Sequence, residues 1–208
     1  MIIVWTIGAF VSGAIMFSYW LGRLARKNLQ TIGDGNPGAL NLWKAAGYRL
    51  GILGVLLDFL KGYLIVRFAL EAGGISGYAV IPIALAPIVG HAFSPFLLGK
   101  GGKAIAVTFG VWSGLTQFEV SLALAVILAI MLGIMKIVNQ WKPISSETDG
   151  QQVVIGMLLL GIYLYVRDAS AAEIWVWMGN SLLLIVKHRK EVKALLHRKS
   201  DIKEGSPH

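Results

Sequence analysis

The chain has 208 residues, of which 56% are hydrophobic and only 14% are charged, and it contains no cysteine. A soluble domain carries about 25% charged residues, so the composition excludes a soluble enzyme, a disordered tail and a coiled coil. The lack of cysteine excludes disulfides, thiolate zinc sites and iron–sulfur clusters. We therefore expect an integral membrane protein, whose net charge of +8 reflects contact with membrane lipids and not with nucleic acid.

Seven apolar stretches follow one another along the chain. A bilayer core of about 30 Å needs roughly 20 helical residues, and the fourth stretch is short enough to be re-entrant instead. The first lacks the basic start and the small-residue cleavage site of a signal peptide, so we interpret it as a helix. The stretches cover residues 2–22, 48–70, 78–93, 105–117, 120–138, 152–166 and 174–186. The sequence predicts an all-α membrane protein with about seven transmembrane helices.

Lysine and arginine are distributed unevenly between the two sides of these helices. With seven crossings, sixteen of the 19 basic residues fall on one side, only Arg67 and Arg167 fall on the other, and Lys61 lies within a span. Because cytoplasmic loops are enriched in basic residues, we predict an external N terminus and a cytoplasmic C terminus. The predicted membrane domain covers residues 1–187, with cytoplasmic loops 23–47, 94–104 and 139–151. The basic tail, residues 188–208, is expected to lie on anionic lipid head groups.

Two glycine-rich loops lie on the predicted cytoplasmic side. Residues 33–41 contain three glycines, a proline and two asparagines, which favour turns whose N–H groups can approach a ligand. Residues 99–104 place Lys100 and Lys103 around consecutive glycines, and a helix beginning at Ala104 would add its dipole to an anion site. We expect this second loop to bind an anion, most simply phosphate. The alternatives are a plain connecting loop and a flexible basic loop.

Four ionisable residues interrupt the apolar stretches or end them. Asp58 and Lys61 are spaced i, i+3 within the second stretch, where charged groups are costly unless they neutralise each other, so we predict an internal ion pair. His91 ends the third stretch and His188 ends the seventh. Each is either an interfacial histidine or an anion ligand. The sequence contains no pattern typical of a metal site, and we predict no catalytic metal.

Together these motifs resemble the PlsY family, the acyl-phosphate-dependent glycerol-3-phosphate acyltransferases of bacterial membranes. Residues 33–41 resemble the family motif Gly-Ser-Gly-Asn-x-Gly-Ala-Thr-Asn, and residues 57–62 resemble the helix that follows it. Gly90-His91 with residues 100–103 resembles the second motif, and His188-Arg189 resembles the ending of the family. The resemblance covers nearly the whole chain. It implies a seven-span protein of the bacterial inner membrane whose active site faces the cytoplasm.

The resemblance also implies a reaction in phospholipid synthesis. A fatty acyl group passes from acyl phosphate to the 1-hydroxyl of glycerol 3-phosphate, giving lysophosphatidic acid and phosphate. Because acyl phosphate is already activated, the protein has to supply positioning and charge neutralisation, and no cofactor or obligate protein partner is implied. The acyl chain is expected in a groove between helices that is open to lipid.

The resemblance assigns roles to individual residues. Either His188 or the phosphate of the acceptor is expected to be the base. The residues expected to bind acyl phosphate are His91, Lys100, Gly101, Gly102 and Lys103; those expected to bind the acceptor are Asn36, Asn41, Lys44 and Arg189; and the catalytic candidates are Asp34, Lys103 and His188.

Several positions depart from the family pattern. Asp34 replaces serine, Leu40 threonine, Lys44 arginine, Ala104 glycine and Glu191 asparagine, and the serine loop of the family is only loosely represented by residues 144–146. The Asp34 carboxylate would repel a phosphate-bearing acceptor unless Lys44 or Arg189 neutralises it. Three alternatives therefore remain: a different acceptor, a lipid-binding relative that has lost catalysis, and a small transporter, for which polar groups near the bilayer midplane would be expected.

Overall fold

The structure is a computed structural model that describes residues 1–141 and 146–195. This part of the chain contains nine α-helices and short 3₁₀ turns but no β-strand, so the all-α prediction is confirmed. A further helical segment covers residues 189–195. The helices are α1 (Ile2–Ala14), α2 (Phe17–Leu24), α3 (Ala39–Ala46), α4 (Tyr48–Glu71), α5 (Val80–Ala92), α6 (Ile105–Thr116), α7 (Glu119–Val138), α8 (Ser146–Val166) and α9 (Ala171–Lys187).

Each of the seven apolar stretches is helical in the structure. By length and composition, four segments within the described residues could cross a membrane. The helix α6 is apolar but shorter, and α4 carries Asp58 and Lys61 at its centre. The four segments are Ile2–Leu24, Gly77–Leu97, Glu119–Val138 and Thr148–Val166. The number of crossings and the orientation stay predictions.

The first stretch is not the single helix that the sequence predicts. It is broken between Ala14 and Phe17, where Ile15 adopts an extended conformation. A helix end leaves carbonyl groups without intrahelical partners, and a buried carbonyl without a donor is costly inside a membrane. Here the Lys61 ammonium donates to the Ile15 carbonyl at 2.6 Å, and the Ser94 hydroxyl donates to the Ala14 carbonyl at 2.7 Å. Contacts from distant parts of the chain therefore stabilise the break.

Glycines allow two pairs of helices to approach closely. A Cβ at Gly13 of α1 would lie 2.1 Å from the Pro87 carbonyl oxygen of α5, and a Cβ at Gly110 of α6 would lie 2.0 Å from the Phe59 carbonyl oxygen of α4. Small residues at such contacts let helix backbones meet, which is the usual basis of helix association in membranes. A buried polar contact adds α9 to this core, because the Trp112 indole N–H donates to the Asn180 side-chain oxygen at 3.1 Å.

One end of the bundle gathers the loops that the sequence analysis selected. The C-terminal ends of α5 and α9 meet the N-terminal ends of α6 and α8 there, and the loop before α3 packs on them. The predicted loop 139–151 is shorter than expected, since α8 begins at Ser146. The serine-loop residues 144 and 145, and residues 196–208 of the predicted tail, lie outside the described residues.

Candidate active site

The loop formed by residues 33–41 is held together by the buried side chain of Asn41. Its amide nitrogen donates to the Ile32 carbonyl at 2.7 Å, to the Asn36 carbonyl at 2.9 Å and to Asp34 Oδ1 at 2.9 Å. Gly33 has a φ of +57°, and a Cβ on it would lie 2.6 Å from Asn41 Oδ1, so this turn requires glycine. The amide of Asn41 is thus used to organise the loop that carries Asp34 and Asn36.

Asp34 forms an ion pair with Lys103 of the second glycine-rich loop. The Asp34 Oδ2 atom lies 2.8 Å from Lys103 Nζ, and the Asn36 backbone N–H donates to Asp34 Oδ1 at 3.1 Å. Burial alone would raise the pKa of the Asp34 carboxyl, but the hydrogen bonds from Lys103 and Asn36 lower it to about 2. The sequence analysis considered Lys44 or Arg189 as the neutralising cation. In the structure Lys103 is a cation paired with Asp34. The two residues are far apart in the sequence, so their contact could not be predicted from it.

Lys103 has a second carboxylate partner in Glu191. Lys103 Nζ lies 2.7 Å from Glu191 Oε1, so one ammonium is bracketed by two carboxylates. Partial burial alone would lower the pKa of Lys103, but the two carboxylates raise it above its usual range. Burial would raise the pKa of Glu191, and the hydrogen bond from Lys103 lowers it. All three groups are therefore charged at neutral pH, and the cluster carries a net charge of one negative unit.

His188 follows the last residue of α9, close to Glu191 of this cluster, and its imidazole is fully buried. Its Nδ1 atom lies 3.8 Å from Glu191 Oε1, and neither ring nitrogen has a hydrogen-bond partner among the described residues. Burial, followed by the charge of Lys103, lowers the pKa of His188 to about 4. A Cβ at Gly150 of α8 would lie 2.8 Å from His188 Nδ1, so that glycine leaves room for the ring. His188 is neutral at pH 7.

The second glycine-rich loop closes onto His91. A Cβ at Gly101 would lie 2.0 Å from the His91 carbonyl oxygen, and a Cβ at Gly102 would lie 2.3 Å from His91 Nε2. The Gly102 backbone N–H donates to the His91 carbonyl at 3.0 Å, so this N–H is committed to the fold. The helix α6 begins at Ile105 rather than at Ala104, which adopts a left-handed conformation with φ of 61°. The two glycines therefore serve close packing on His91.

The Asp58–Lys61 ion pair lies behind His91. Lys61 Nζ is 2.8 Å from Asp58 Oδ1, and both side chains are buried. His91 Nδ1 lies 3.9 Å from the same carboxylate oxygen. The Ser18 hydroxyl donates to Asp58 Oδ2 at 2.6 Å. Sequence reasoning missed Ser18, because a single serine in an apolar stretch gives no signal for a polar cluster.

Two cavities meet at this end of the bundle. The first, which we call the apolar cavity, has a volume of about 470 Å³ and reaches between α4, α6 and α8. Its hydrophobic wall includes Val55, Phe59, Ile105, Phe109 and Val153, and its polar end carries Asp34, Asp58, His91, Lys103, Asp149 and His188.

The second cavity, which we call the basic groove, has a volume of about 830 Å³. Its charged lining residues are Asp34, Lys100, Lys103, Lys187, Arg189, Lys190 and Glu191. Asp34, Asn36 and Lys103 line both cavities, so the ion pair stands where they meet.

The predicted binding and catalytic residues other than Asp34, Asn36 and Lys103 separate into three groups. Lys100, Gly101 and Arg189 line the basic groove, and His91 and His188 line the apolar cavity. Asn41, Lys44 and Gly102 line neither, although a Cβ at Gly33 would lie 3.4 Å from Lys44 Nζ.

Sequence reasoning counted Lys187 only among the basic residues at the membrane surface, gave it no role in the active site, and treated Glu191 only as a departure from the family pattern. Lys187 Nζ donates to the Ala92 carbonyl at 2.7 Å and to the Gly101 carbonyl at 3.2 Å. Lys187 directly precedes His188 in the sequence, and this position could have suggested that Lys187 lies near the site. Among the described residues, no group of three histidine or acidic side chains is arranged to hold a metal ion.

Comparison with known proteins identifies the family. Residues 3–198 match the sequence model of the family glycerol-3-phosphate acyltransferase. The glycerol-3-phosphate acyltransferase 1 of Thermotoga maritima is 38% identical over 90% of this chain and 94% of its own length. The glycerol-3-phosphate acyltransferase of Aquifex aeolicus is 30% identical over 90% of this chain and 92% of its own length.

Solved structures agree with this assignment. Crystal structures of PlsY, an integral membrane glycerol 3-phosphate acyltransferase, are similar to this chain in the glycerol 3-phosphate form (TM-score 0.80, 27% identity) and in the lysophosphatidic acid form (TM-score 0.79, 26% identity). Each comparison covers 94% of this chain and 92% of the PlsY chain. The predictions of PlsY membership and of an integral membrane protein are confirmed. The chain belongs to the glycerol-3-phosphate acyltransferase family.

Proposed function

We propose that this protein transfers a fatty acyl group from acyl phosphate to the 1-hydroxyl of glycerol 3-phosphate at the cytoplasmic face of the bacterial plasma membrane. The products are lysophosphatidic acid and phosphate. The observation that carries the proposal is the junction of the apolar cavity and the basic groove at Lys103. An acyl chain and a phosphate-bearing acceptor require these two environments, side by side, with a cation between them.

The donor is assigned from the chemistry of the apolar cavity. Its hydrophobic wall suits an acyl chain. At its polar end the cation that a compact phosphate would meet is Lys103, for which the phosphate would compete with the Asp34 and Glu191 carboxylates. Acyl phosphate is a mixed anhydride, so transfer needs no covalent enzyme intermediate and no cysteine nucleophile. Stabilising the charge that develops on the leaving phosphate is the largest contribution that such a site can make.

The acceptor is assigned to the basic groove, where Lys100, Lys187 and Arg189 supply positive charge. Its hydroxyl oxygen forms a bond to the carbonyl carbon of the donor, the bond from that carbon to the phosphate oxygen breaks, and the hydroxyl proton passes to a base. His188, whose pKa is lowered to about 4, is a weak base. A phosphate monoester with a second pKa near 6 is stronger, which favours the acceptor's own phosphate in that role.

The test is an assay of the purified protein in lipid or detergent with acyl phosphate or acyl-CoA as donor. Glycerol 3-phosphate, glycerol and dihydroxyacetone phosphate serve as acceptors, and both phosphate and acylated product are measured. We expect product from acyl phosphate with glycerol 3-phosphate. Lys103→Ala should lower turnover by about 100-fold, as expected for loss of one charge-stabilising donor.

The matched control is Lys27→Ala, since Lys27 is exposed and lines neither cavity. It should keep wild-type turnover. Product from acyl-CoA but not from acyl phosphate would refute the donor assignment. Full turnover by a folded Lys103→Ala variant would refute the role of Lys103, and preference for another acceptor would refute the acceptor assignment.

A further inference from the structure

We propose that the ion pair between Asp34 and Lys103 partitions the apolar cavity from the basic groove and determines that the acyl group is transferred to the acceptor rather than to water. This inference rests on the proposed function. It makes Asp34 a specificity-determining residue, which acts by controlling what reaches the donor carbonyl.

The position of the pair supports a partition. Asp34 and Lys103 line both cavities, and their charged atoms are only 2.8 Å apart. No water molecule fits between two atoms in direct hydrogen-bond contact. The pair therefore occupies, together with Asn36, the wall that the basic groove shares with the apolar cavity.

The partition is anchored on both sides. Asp34 is held by the Asn36 backbone N–H at 3.1 Å and by the Asn41 side chain at 2.9 Å. Lys103 is held by Glu191 at 2.7 Å. These anchors come from the loop before α3 and from the helical segment after α9, so the pair joins parts of the fold that are not adjacent in sequence. A pair anchored in this way stays closed more of the time than a pair of free surface side chains.

A partition is useful here because acyl phosphate reacts with water as well as with the acceptor. Water can attack the same carbonyl carbon as the acceptor: its oxygen bonds to that carbon, the bond to the phosphate oxygen breaks, and the water proton leaves with the phosphate. The products are a fatty acid and phosphate, and the activated donor is wasted. The basic groove is lined by five cationic side chains and two carboxylates, which hold water next to the donor site, and excluding that water until the acceptor binds prevents this side reaction.

An anionic acceptor has the means to open the partition. Lys100, Lys187, Arg189 and Lys190 line the basic groove and attract a phosphate group toward Lys103. The Lys103 ammonium has three N–H donors, so it can contact the donor phosphate while it keeps its carboxylate partners. A phosphate oxygen of the acceptor, arriving from the basic groove, can then replace the Asp34 carboxylate on that side, because both are strong charge-assisted acceptors. Water cannot compete in this way, since it carries no charge. Opening is therefore linked to the arrival of the correct substrate.

The experiment measures two products from the same purified protein, with an acyl chain labelled in the donor. Free fatty acid is measured with acyl phosphate alone, and lysophosphatidic acid is measured with glycerol 3-phosphate present. In Asp34→Asn the carboxylate charge is lost, and the ratio of hydrolysis to transfer should rise about fivefold, the change expected when a partly exposed ion pair is lost. Asp34→Ser is the second variant and should behave in the same way, should Asp34→Asn fail to fold.

Two further variants calibrate the result. Glu71→Gln breaks a partly exposed ion pair with Arg67 on α4. Glu71 lines neither cavity, so this variant should leave the ratio unchanged. Glu191→Gln removes one anchor but keeps the Asp34–Lys103 contact, so the ratio should rise less than in Asp34→Asn.

The outcomes separate this inference from the proposed function. If the wild-type protein makes lysophosphatidic acid from acyl phosphate and folded Asp34 variants keep the wild-type ratio, the partition is refuted and the proposed function stands. If folded Asp34 variants lose hydrolysis and transfer together, Asp34 is a catalytic carboxylate and the partition is again refuted. If the wild-type protein transfers nothing from acyl phosphate, the proposed function fails and this inference fails with it.

Discussion

The ammonium of Lys61 donates a hydrogen bond to the carbonyl oxygen of Ile15 across 2.6 Å, in the gap between α1 and α2. The same ammonium lies 2.8 Å from Asp58, whose other carboxylate oxygen accepts a hydrogen bond from Ser18 at 2.6 Å. Ile15 lies in the break, and Ser18 lies in the first turn of α2, directly after it. The ion pair of α4 therefore does more than neutralise itself, because it stabilises an interruption in the first membrane helix.

Replacing Lys61 with methionine tests this structural role. Lys61→Met leaves the buried Asp58 carboxylate without its cation and the Ile15 carbonyl without its donor. We expect a loss of about 3–5 kcal/mol in the free energy of unfolding, as measured for other buried pairs that lose one partner. Denaturant or thermal unfolding in a fixed detergent is the measurement. The double variant with Asp58→Asn should recover part of the loss; equal stability of Lys61→Met and wild type would contradict the assignment.

Two glycines in different environments give a matched pair of substitutions. Gly110→Ala places a methyl group against the Phe59 carbonyl of α4, and overpacking of this kind costs about 1–3 kcal/mol. Gly133 of α7 has nothing within 4 Å of its Cβ position, so Gly133→Ala should be neutral or stabilise the helix by up to about 1 kcal/mol. The unfolding midpoint of Gly110→Ala should fall while that of Gly133→Ala stays the same or rises, and equal destabilisation of the two would disprove close packing of α4 on α6.

The buried imidazole of His188 predicts a pH dependence of stability. Its pKa in the folded protein is lowered from 6.5 to about 4, so between these values the unfolded chain binds a proton that the folded protein does not. Its contribution to stability is complete above pH 6.5 and is lost as the pH falls through about 4. Unfolding midpoints of wild type and His188→Gln, measured across this range, should show a shallower slope in the variant. Parallel slopes would mean that His188 is accessible to solvent protons.

The predicted orientation can be tested directly, because the chain has no cysteine. Single cysteines at Asn36, Lys100 and Lys190 should resist a membrane-impermeant thiol reagent in intact cells and react after the membrane is opened. A cysteine at Tyr78, which is exposed before α5 on the predicted external side, is the positive control. Labelling of any of the first three from outside would overturn the orientation.

Two properties of this fold can be predicted from short stretches of sequence: which apolar stretches form helices, and which side chains share a face of a helix. All seven stretches are helical, and Asp58 and Lys61 are in contact, because a spacing of three residues places two side chains on one helix face. The break at Ile15 could not be predicted, since no proline marks it, Gly13 before it lies inside α1 and packs against Pro87, and the donors that stabilise it come from α4 and the loop after α5.

The candidate site shows the same limit. The sequence was sufficient to select both glycine-rich loops and the two histidines, His91 and His188, as candidates for the site. It could not identify Lys103 as the partner of Asp34 and Glu191, because this contact depends on how α6 and α9 are placed relative to the loop before α3. Charged residues that pair across the fold give no periodic signal in the sequence.

Three residues at the end of α9 and directly after it make contacts that depend on their spacing along the chain as well as on their chemistry. Lys187 binds the carbonyls of Ala92 and Gly101, His188 lines the apolar cavity, and Glu191 pairs with Lys103. An α-helix turns about 100° per residue, so one residue inserted between His188 and Glu191 would swing the carboxylate away from Lys103 although every side chain was retained. In this short segment, insertions and deletions are therefore more damaging than conservative substitutions, and its length is constrained independently of its composition.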